Sequence, residues 1–223
     1  VYRSGKSGEE RLYSLPVEGI DSAEAEALPK HPTGIQRWEW APDSRRIYYL
    51  APDTLDPDEK LRREKRFTVE IRNAETRLSS LWAMDLDPHT TTRLTRDSTI
   101  TVSAFTVSKD GKWIGFYGIS ADRYKRNITE QSINGDPFLL EVATGRIERL
   151  VKNEEVAESV PSFSPDGRWV AFVAPDDLTK YSMKNRRVYI RAVGDRGGKF
   201  RKIGTSFDGD VSIDFWSEDG RTI

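Results

Sequence analysis

The sequence predicts an all-β fold of repeated four-stranded antiparallel sheets, and three observations lead to it. A turn formula recurs between apolar runs, as "WAPDSRRIYYLAP" (Trp40 to Pro52), "VSKDGKWIGFYG" (Val107 to Gly118), "SFSPDGRWVAFVAP" (Ser162 to Pro175) and "WSEDGRTI" (Trp216 to Ile223). Its aspartates, Asp43, Asp110, Asp166 and Asp219, are spaced 67, 56 and 53 residues apart, which marks a tandem repeat. A second strand–turn–strand pattern accompanies each copy: "LYSLPVEG…AEALP", "LWAMDLDPHTTTRLT", "PFLLEVATGRIERLV" and "VYIRAVGDRGGKFRKIG".

The turn has a mechanical reading. In "SPDG", Pro165 presets the backbone angle of the first central position and the Asp166 side chain bonds the local backbone. Gly167 then adopts the left-handed conformation that closes a hairpin with a bulge. Gly111 and Gly220 stand at the same place. After the turn, "RWVAFVA" lacks apolar/polar alternation: Trp169, Ala171 and Val173 point one way, Val170 and Phe172 the other. Both faces are apolar, so both are expected to be covered. Each repeat is thus four strands, A to D, with the turn joining A to B. Four-stranded sheets covered on both faces and repeated in tandem are the blades of a β-propeller. A sandwich of similar hairpins is the weaker reading, because four copies of one formula follow in fixed order.

The repeats run approximately 1–38, 39–103, 104–160 and 161–213, with the next beginning at 214. "VYRS" at the start reads as the close of a B strand and "GRTI" at the end as the opening of one. About four repeats are therefore expected within a larger propeller of seven or eight blades, a closed four-bladed ring being the alternative. The A–B and C–D turns are short, whereas the B–C connections are long (about 51–76, 119–136 and 174–187). In an up-and-down blade these loops share one rim, where recognition usually resides. Within the first, "LDPDEKLRREKR" predicts a short helix capped by Asp56, with Pro57 at its first position, acids early and bases late.

The loops also carry Arg62, Arg63, Lys65 and Arg66; Arg123, Lys125 and Arg126; and Lys180, Lys184, Arg186 and Arg187. A basic rim attracting an acidic partner or a substrate carboxylate is one reading. Solvated charge compensated by Asp58, Glu59, Glu64, Asp122, Asp176 and Asp177 is the favoured one. Arg123 and Arg126 remain candidate contacts to substrate or partner. Glu154 and Glu155 are further candidates, as receivers of a substrate ammonium, though loop solvation also explains them.

Composition excludes several classes. With 35 basic residues against 36 acidic, the surface is not built as a whole to attract nucleic acid or anionic membrane. No apolar run reaches the roughly 18 residues of a membrane span. No charged-then-apolar leader opens the chain, so a signal peptide is expected to be absent or already removed. Without cysteine there is no thiolate chemistry, and the compartment stays open, cytoplasmic or periplasmic and secreted alike. The only histidines, His31 and His89, lie far apart, which argues against a zinc site. "DLDPHT" and "DGD" fail to match a calcium loop and are explained as turns. "GKS" at Gly5 to Ser7 lacks the rest of a phosphate loop. "NIT" at Asn127 to Thr129 would be a glycosylation sequon only in a secreted eukaryotic protein. No "GxSxG" elbow is present, so no catalytic residue, metal or cofactor is assigned. The six tryptophans are read as core residues at equivalent strand positions.

"SFSPDGRWVAF" and its copies, taken with "LWAMDLDPHTTTRLT", resemble the propellers of two related groups: TolB-like proteins, and the prolyl oligopeptidase family of serine peptidases, dipeptidyl and acylaminoacyl peptidases included. Repeats longer than 50 residues and the charged segment "DEKLRREKRFTVEIRNAETRLSSLWAMDL" favour the peptidases. The resemblance implies a noncatalytic propeller packed on an α/β-hydrolase domain of the same protein, gating and positioning peptide substrates. The catalytic serine, aspartate and histidine would lie in that other domain. The dipeptidyl peptidases' glutamate pair is not carried onto Glu154 and Glu155, whose aromatic context is missing. The alternatives are a TolB-like protein-interaction propeller without activity, or a propeller fused to another hydrolase.

Overall fold

A computed structural model of the protein describes residues 2–4, 11–16, 24–55, 57–65, 78–95, 99–121, 135–153, 156–179 and 184–223. Strands β1 (Tyr2–Ser4), β2 (Arg11–Ser14) and β3 (Glu26–Ala27) form a three-stranded sheet. Three four-stranded sheets follow. The first holds β4 (Arg37–Trp40), β5 (Arg46–Pro52), β6 (Ser79–Leu86) and β7 (His89–Arg93). The second holds β8 (Ile100–Val107), β9 (Trp113–Ser120), β10 (Gly135–Glu141) and β11 (Arg146–Arg149). The third holds β12 (Ser162–Phe163), β13 (Trp169–Pro175), β14 (Arg186–Ala192) and β15 (Arg201–Ile203). Every pairing is antiparallel between consecutive strands. Each sheet is therefore the A–B–C–D meander of a propeller blade. Helix α1 (Pro57–Glu64) starts on its proline, and its expected cap, Asp56, lies outside the described residues.

Period-2 geometry explains how the blades stack. On the B strand β5, Ile47, Tyr49 and Ala51 meet Leu12 and Leu28 of the preceding sheet, whereas Tyr48 and Leu50 meet Phe105 and Phe116 of the following one. On β13, Val170, Phe172 and Ala174 face Leu139 and Leu150, and Ala171 and Val173 face Val211, Ile213 and Trp216. Both faces are covered, as the unalternated apolar runs require.

One aromatic pair recurs between B and C strands, because the same register places a ring on each. Tyr49 stacks on Trp82, Phe116 on Phe138 and Phe172 on Tyr189, with centroids 6.4, 5.0 and 5.4 Å apart. The tryptophans pack against the core as expected, but only partly buried and not all at equivalent positions. None is among the largest fully buried side chains, which are Tyr49, Phe105, Phe116 and Phe172, and Trp40 is 37% exposed. Trp113 and Trp169 both open B strands, but Trp40 closes an A strand and Trp82 lies in a C strand. Five of them pack, partly buried, against the core clusters: Trp38 and Trp82 against that of Tyr49, Trp113 against that of Phe172, and Trp169 and Trp216 against that of Ala171.

Candidate functional site

The turn residues build one rim of the stack. Asp166 Oδ1 accepts from the Ser164 hydroxyl (2.6 Å) and the Arg168 N–H (3.0 Å), while Ser164 Oγ accepts from the Trp169 N–H (2.9 Å). The same three bonds join Ser108, Asp110, Lys112 and Trp113, and again Ser217, Asp219, Arg221 and Thr222. Gly111, Gly167 and Gly220 have φ of 69°, 69° and 67°. In the first copy Ala41 replaces the serine and Ser44, at φ 57°, replaces the glycine; Asp43 keeps only its bond from the Arg45 N–H. Pro165 occupies the position before Asp166.

These turns touch one another. A Cβ on Gly167 would lie 2.9 Å from the Asp110 carboxylate, one on Gly220 3.2 Å from the Asp166 carboxylate, and one on Gly111 3.5 Å from Pro42. Each glycine thus seats against the turn of the preceding blade. The Ser164 hydroxyl, then the Arg168 N–H and guanidinium, hold Asp166 down at about 2. Asp219 is lowered by Ser217 and the Arg221 N–H. At Asp110 burial pushes upward but is outweighed by Ser108 and Lys112, so it too is lowered. The arrangement is structural: aspartates fixed as anions, with all near partners supplied by their own turn.

The opposite rim, where B strands end and C strands begin, carries the less ordinary chemistry. Arg123, Arg126, Glu154 and Glu155 lie outside the described residues. Among the described residues of this rim the register repeats a cation on the D strand against an acid. Arg93 binds Asp53 (2.9 Å) and Ser80 (2.6 Å); Arg149 binds Asp136 (2.8 Å); Lys202 binds Asp176 (2.6 Å). Arg187 departs from the expected solvated rim. It is 5% exposed, and its guanidinium donates to the carbonyls of Gly209 and Phe207 (2.6 and 3.0 Å). Its C-strand position, equivalent to Ser80 and Asp136, turns it into the blade rather than toward a loop. His31 is also internal, packed edge-on against Trp82 at 4.7 Å and beside the Thr33 hydroxyl.

The middle of this rim holds a buried carboxylate that sequence reasoning missed. Glu158, on the link from β11 to β12, is 7% exposed. Its Oε1 accepts from the Asn153 amide (2.6 Å), and its Oε2 has no hydrogen-bond partner among the described residues. The Asn153 carbonyl accepts from Arg149, which also pairs with Asp136, so the chain Asp136–Arg149–Asn153–Glu158 crosses the junction of two blades. Burial pushes the Glu158 carboxyl up, the nearby Asp136 charge adds to this, and Asn153 and Arg149 only partly offset them; it titrates at about 7. Tyr117 is raised by burial and by the charges of Glu158 and Asp136. Tyr189, whose hydroxyl donates to the Pro175 carbonyl (2.7 Å), is raised to about 12, chiefly by burial. The group can hold a proton near neutral pH or receive a cation, and such perturbed acids concentrate at functional sites.

A signal for part of this was present in the sequence. "RL" closes two of the D strands at Arg93-Leu94 and Arg149-Leu150, and "APD" follows two B strands at Ala51 to Asp53 and Ala174 to Asp176. Glu158 had none, since "AESVP" looks like any polar link. Among the described residues no group of three or more metal-binding side chains converges, and no helix is long and apolar enough to cross a membrane.

No family model matches the chain. Dipeptidyl-peptidase 5 of Trichophyton schoenleinii is 30% identical over 125 residues, which is 53% of this chain and 17% of that protein. The match therefore spans about a sixth of the relative's length. Among solved structures, oligogalacturonate lyase from Vibrio parahaemolyticus aligns with a TM-score of 0.57 at 17% identity, over 90% of this chain and 47% of its own. The acylaminoacyl peptidase of Pyrococcus horikoshii aligns at 0.50 and 11% identity, over 90% and 29%. At such identities the structural likeness speaks for the fold, and it is shared by a lyase and a peptidase. The chain is a run of β-propeller blades, similar in sequence over half its length to dipeptidyl-peptidase 5.

Proposed function

We propose that this chain is the noncatalytic propeller of a prolyl oligopeptidase-type serine peptidase, limiting access to, and positioning peptides for, an α/β-hydrolase domain of the same protein. The observation that carries the reading is the similarity to dipeptidyl-peptidase 5. The physics agrees with a scaffold role. The blade faces are consumed by packing and the turn rim by its own hydrogen bonds. That leaves the B–C rim, with its long connections over a row of ion pairs, as the surface available to recognise a peptide. Approximate repeat limits at 38, 103, 160 and 213 are part of the same proposal.

The test uses the full-length protein, a fluorophosphonate probe, and aminoacyl and dipeptidyl chromogenic substrates. Labelling with turnover is expected. Neither would sink the reading and leave a TolB-like propeller that binds a protein partner.

A further inference from the structure

We propose that the cavity on the B–C rim bounded by His31, Trp82 and Arg93 is a docking site for a proline-rich segment of a partner protein in the polyproline II conformation. The inference rests on this chain's own residues and stands whether or not a hydrolase accompanies it.

The cavity measures about 540 Å³ and opens where the link from β3 to β4 passes the end of β5 and the strands β6 and β7. Its size is that of a ligand pocket, roughly 300–1,000 Å³. Four of its lining residues are rings: His31, Pro32, Pro52 and Trp82. Tyr49 completes the aromatic cluster, stacked on Trp82 and with its centroid 5.6 Å from that of His31. The one arginine of the lining, Arg93, is paired with its one carboxylate, Asp53 (2.9 Å).

What singles this cavity out is donors without acceptors. Trp82 Nε1, Arg93 Nε and the Tyr49 hydroxyl are buried, and none has a hydrogen-bond partner among the described residues. Two of the three belong to residues that line the cavity. Buried polar atoms are almost always paired, so such a group needs an acceptor that the fold does not supply.

The third four-stranded sheet shows how the fold meets this need elsewhere. Tyr189 stands opposite Phe172 there as Trp82 stands opposite Tyr49, and its hydroxyl donates to the carbonyl of Pro175, the last residue of its B strand (2.7 Å). The equivalent carbonyl in the first sheet, that of Pro52, is taken by the Thr33 hydroxyl, whose oxygen lies 2.9 Å from His31 Nδ1. The indole therefore keeps an N–H that no neighbour receives.

The class of ligand follows from what is missing. The unpaired groups of the lining, an indole N–H and a guanidinium N–H, can only donate. A sugar brings donors along with its acceptors, and a carboxylate or phosphate would need a cation not already paired. A proline residue is acceptor-only: it has a carbonyl, no N–H and an apolar ring. In polyproline II the backbone makes no internal hydrogen bonds, so its carbonyls are open to outside donors, and one turn is about 9 Å long. Grooves lined by aromatic rings are the established receivers of such segments.

The experiment titrates the full chain with capped decaproline, read by calorimetry and by the NMR resonance of the Trp82 indole N–H, which Trp82→Phe identifies by its loss. Saturable binding with a downfield shift of that resonance is expected. Trp82→Phe keeps a ring beside Tyr49 and removes the donor, so it should weaken binding about tenfold, the worth of one hydrogen bond. Arg93→Lys keeps a cation for Asp53, loses the Nε–H and should weaken binding as well. Trp113→Phe, the same exchange at the turn rim, should bind like the native chain. No saturable binding at millimolar decaproline would overturn the proposal and leave the donors to water. So would binding that both Trp82→Phe and Arg93→Lys leave unchanged, or maltohexaose binding in decaproline's place.

Discussion

At the scale of the residue, the turn serines matter as much as the aspartates and glycines they accompany. Ser164 is fully buried; its hydroxyl donates to Asp166 and accepts from Trp169. Ser164→Ala should cost about 1–3 kcal/mol, because a backbone N–H loses its acceptor away from water. Urea unfolding would measure it. Two glycines separate backbone strain from contact between blades. Gly145 and Gly167 share φ of 69°, but a Cβ meets nothing at Gly145 and the Asp110 carboxylate at 2.9 Å at Gly167. Gly145→Ala should lose only the left-handed preference, about 1–2 kcal/mol. Gly167→Ala should lose clearly more, since Ser108 and Lys112 pin the carboxylate it would strike. Equal losses would mean that the turns do not stack. The anionic turns also set an acid limit. Asp166, Asp219 and Asp110 are lowered in the fold, so their contribution is full above the unfolded carboxylate range and disappears as pH falls toward 2. Thermal unfolding across pH 2 to 5 should show that loss, and Ser164→Ala should blunt it.

At the scale of the element, the cross-strand rows give graded predictions. Phe172 is fully buried, stacked on Tyr189 and edge-on to Phe200, so Phe172→Ala should cost about 3–5 kcal/mol. The ion pairs beneath the B–C rim should differ by burial. The Asp136 side chain is 9% exposed and Asp176 37%. Arg149→Ala takes the guanidinium away from a buried carboxylate and should cost about 3–5 kcal/mol. Lys202→Ala breaks a solvated pair and should cost no more than about 1 kcal/mol. Denaturant midpoints of the two variants test the order.

What was legible in the sequence follows from how local the cause is. The turn formula and the unalternated runs after it are short-range signals, and they suffice for the blade, its strand order and the faces of Val170 and Ala171. The tryptophans were legible as core-packing residues, since size and hydrophobicity suffice for that, but not as residues of differing strand positions, which depend on the register of each blade. Arg187 and Glu158 were illegible for a related reason. Each is a charged residue beside a loop, and only the register across three strands turns the one into a blade and the other into a junction between blades.

At the scale of the molecule, the blades present covered faces, a self-satisfied turn rim and one rim where buried charge meets long connections. On the proposed reading such a propeller acts through exclusion and positioning, and that proposal is most exposed where exclusion is measured. The most direct measurement compares kcat/KM for a dipeptidyl chromogenic substrate and for a long polypeptide, in the full-length protein with and without the 122–134 segment of the B–C rim. If the propeller is a gate, removing the segment should leave the short substrate within about twofold and raise the long one by tenfold or more, since about 1.4 kcal/mol of barrier corresponds to a factor of ten. Unchanged discrimination between the two substrates would contradict the account.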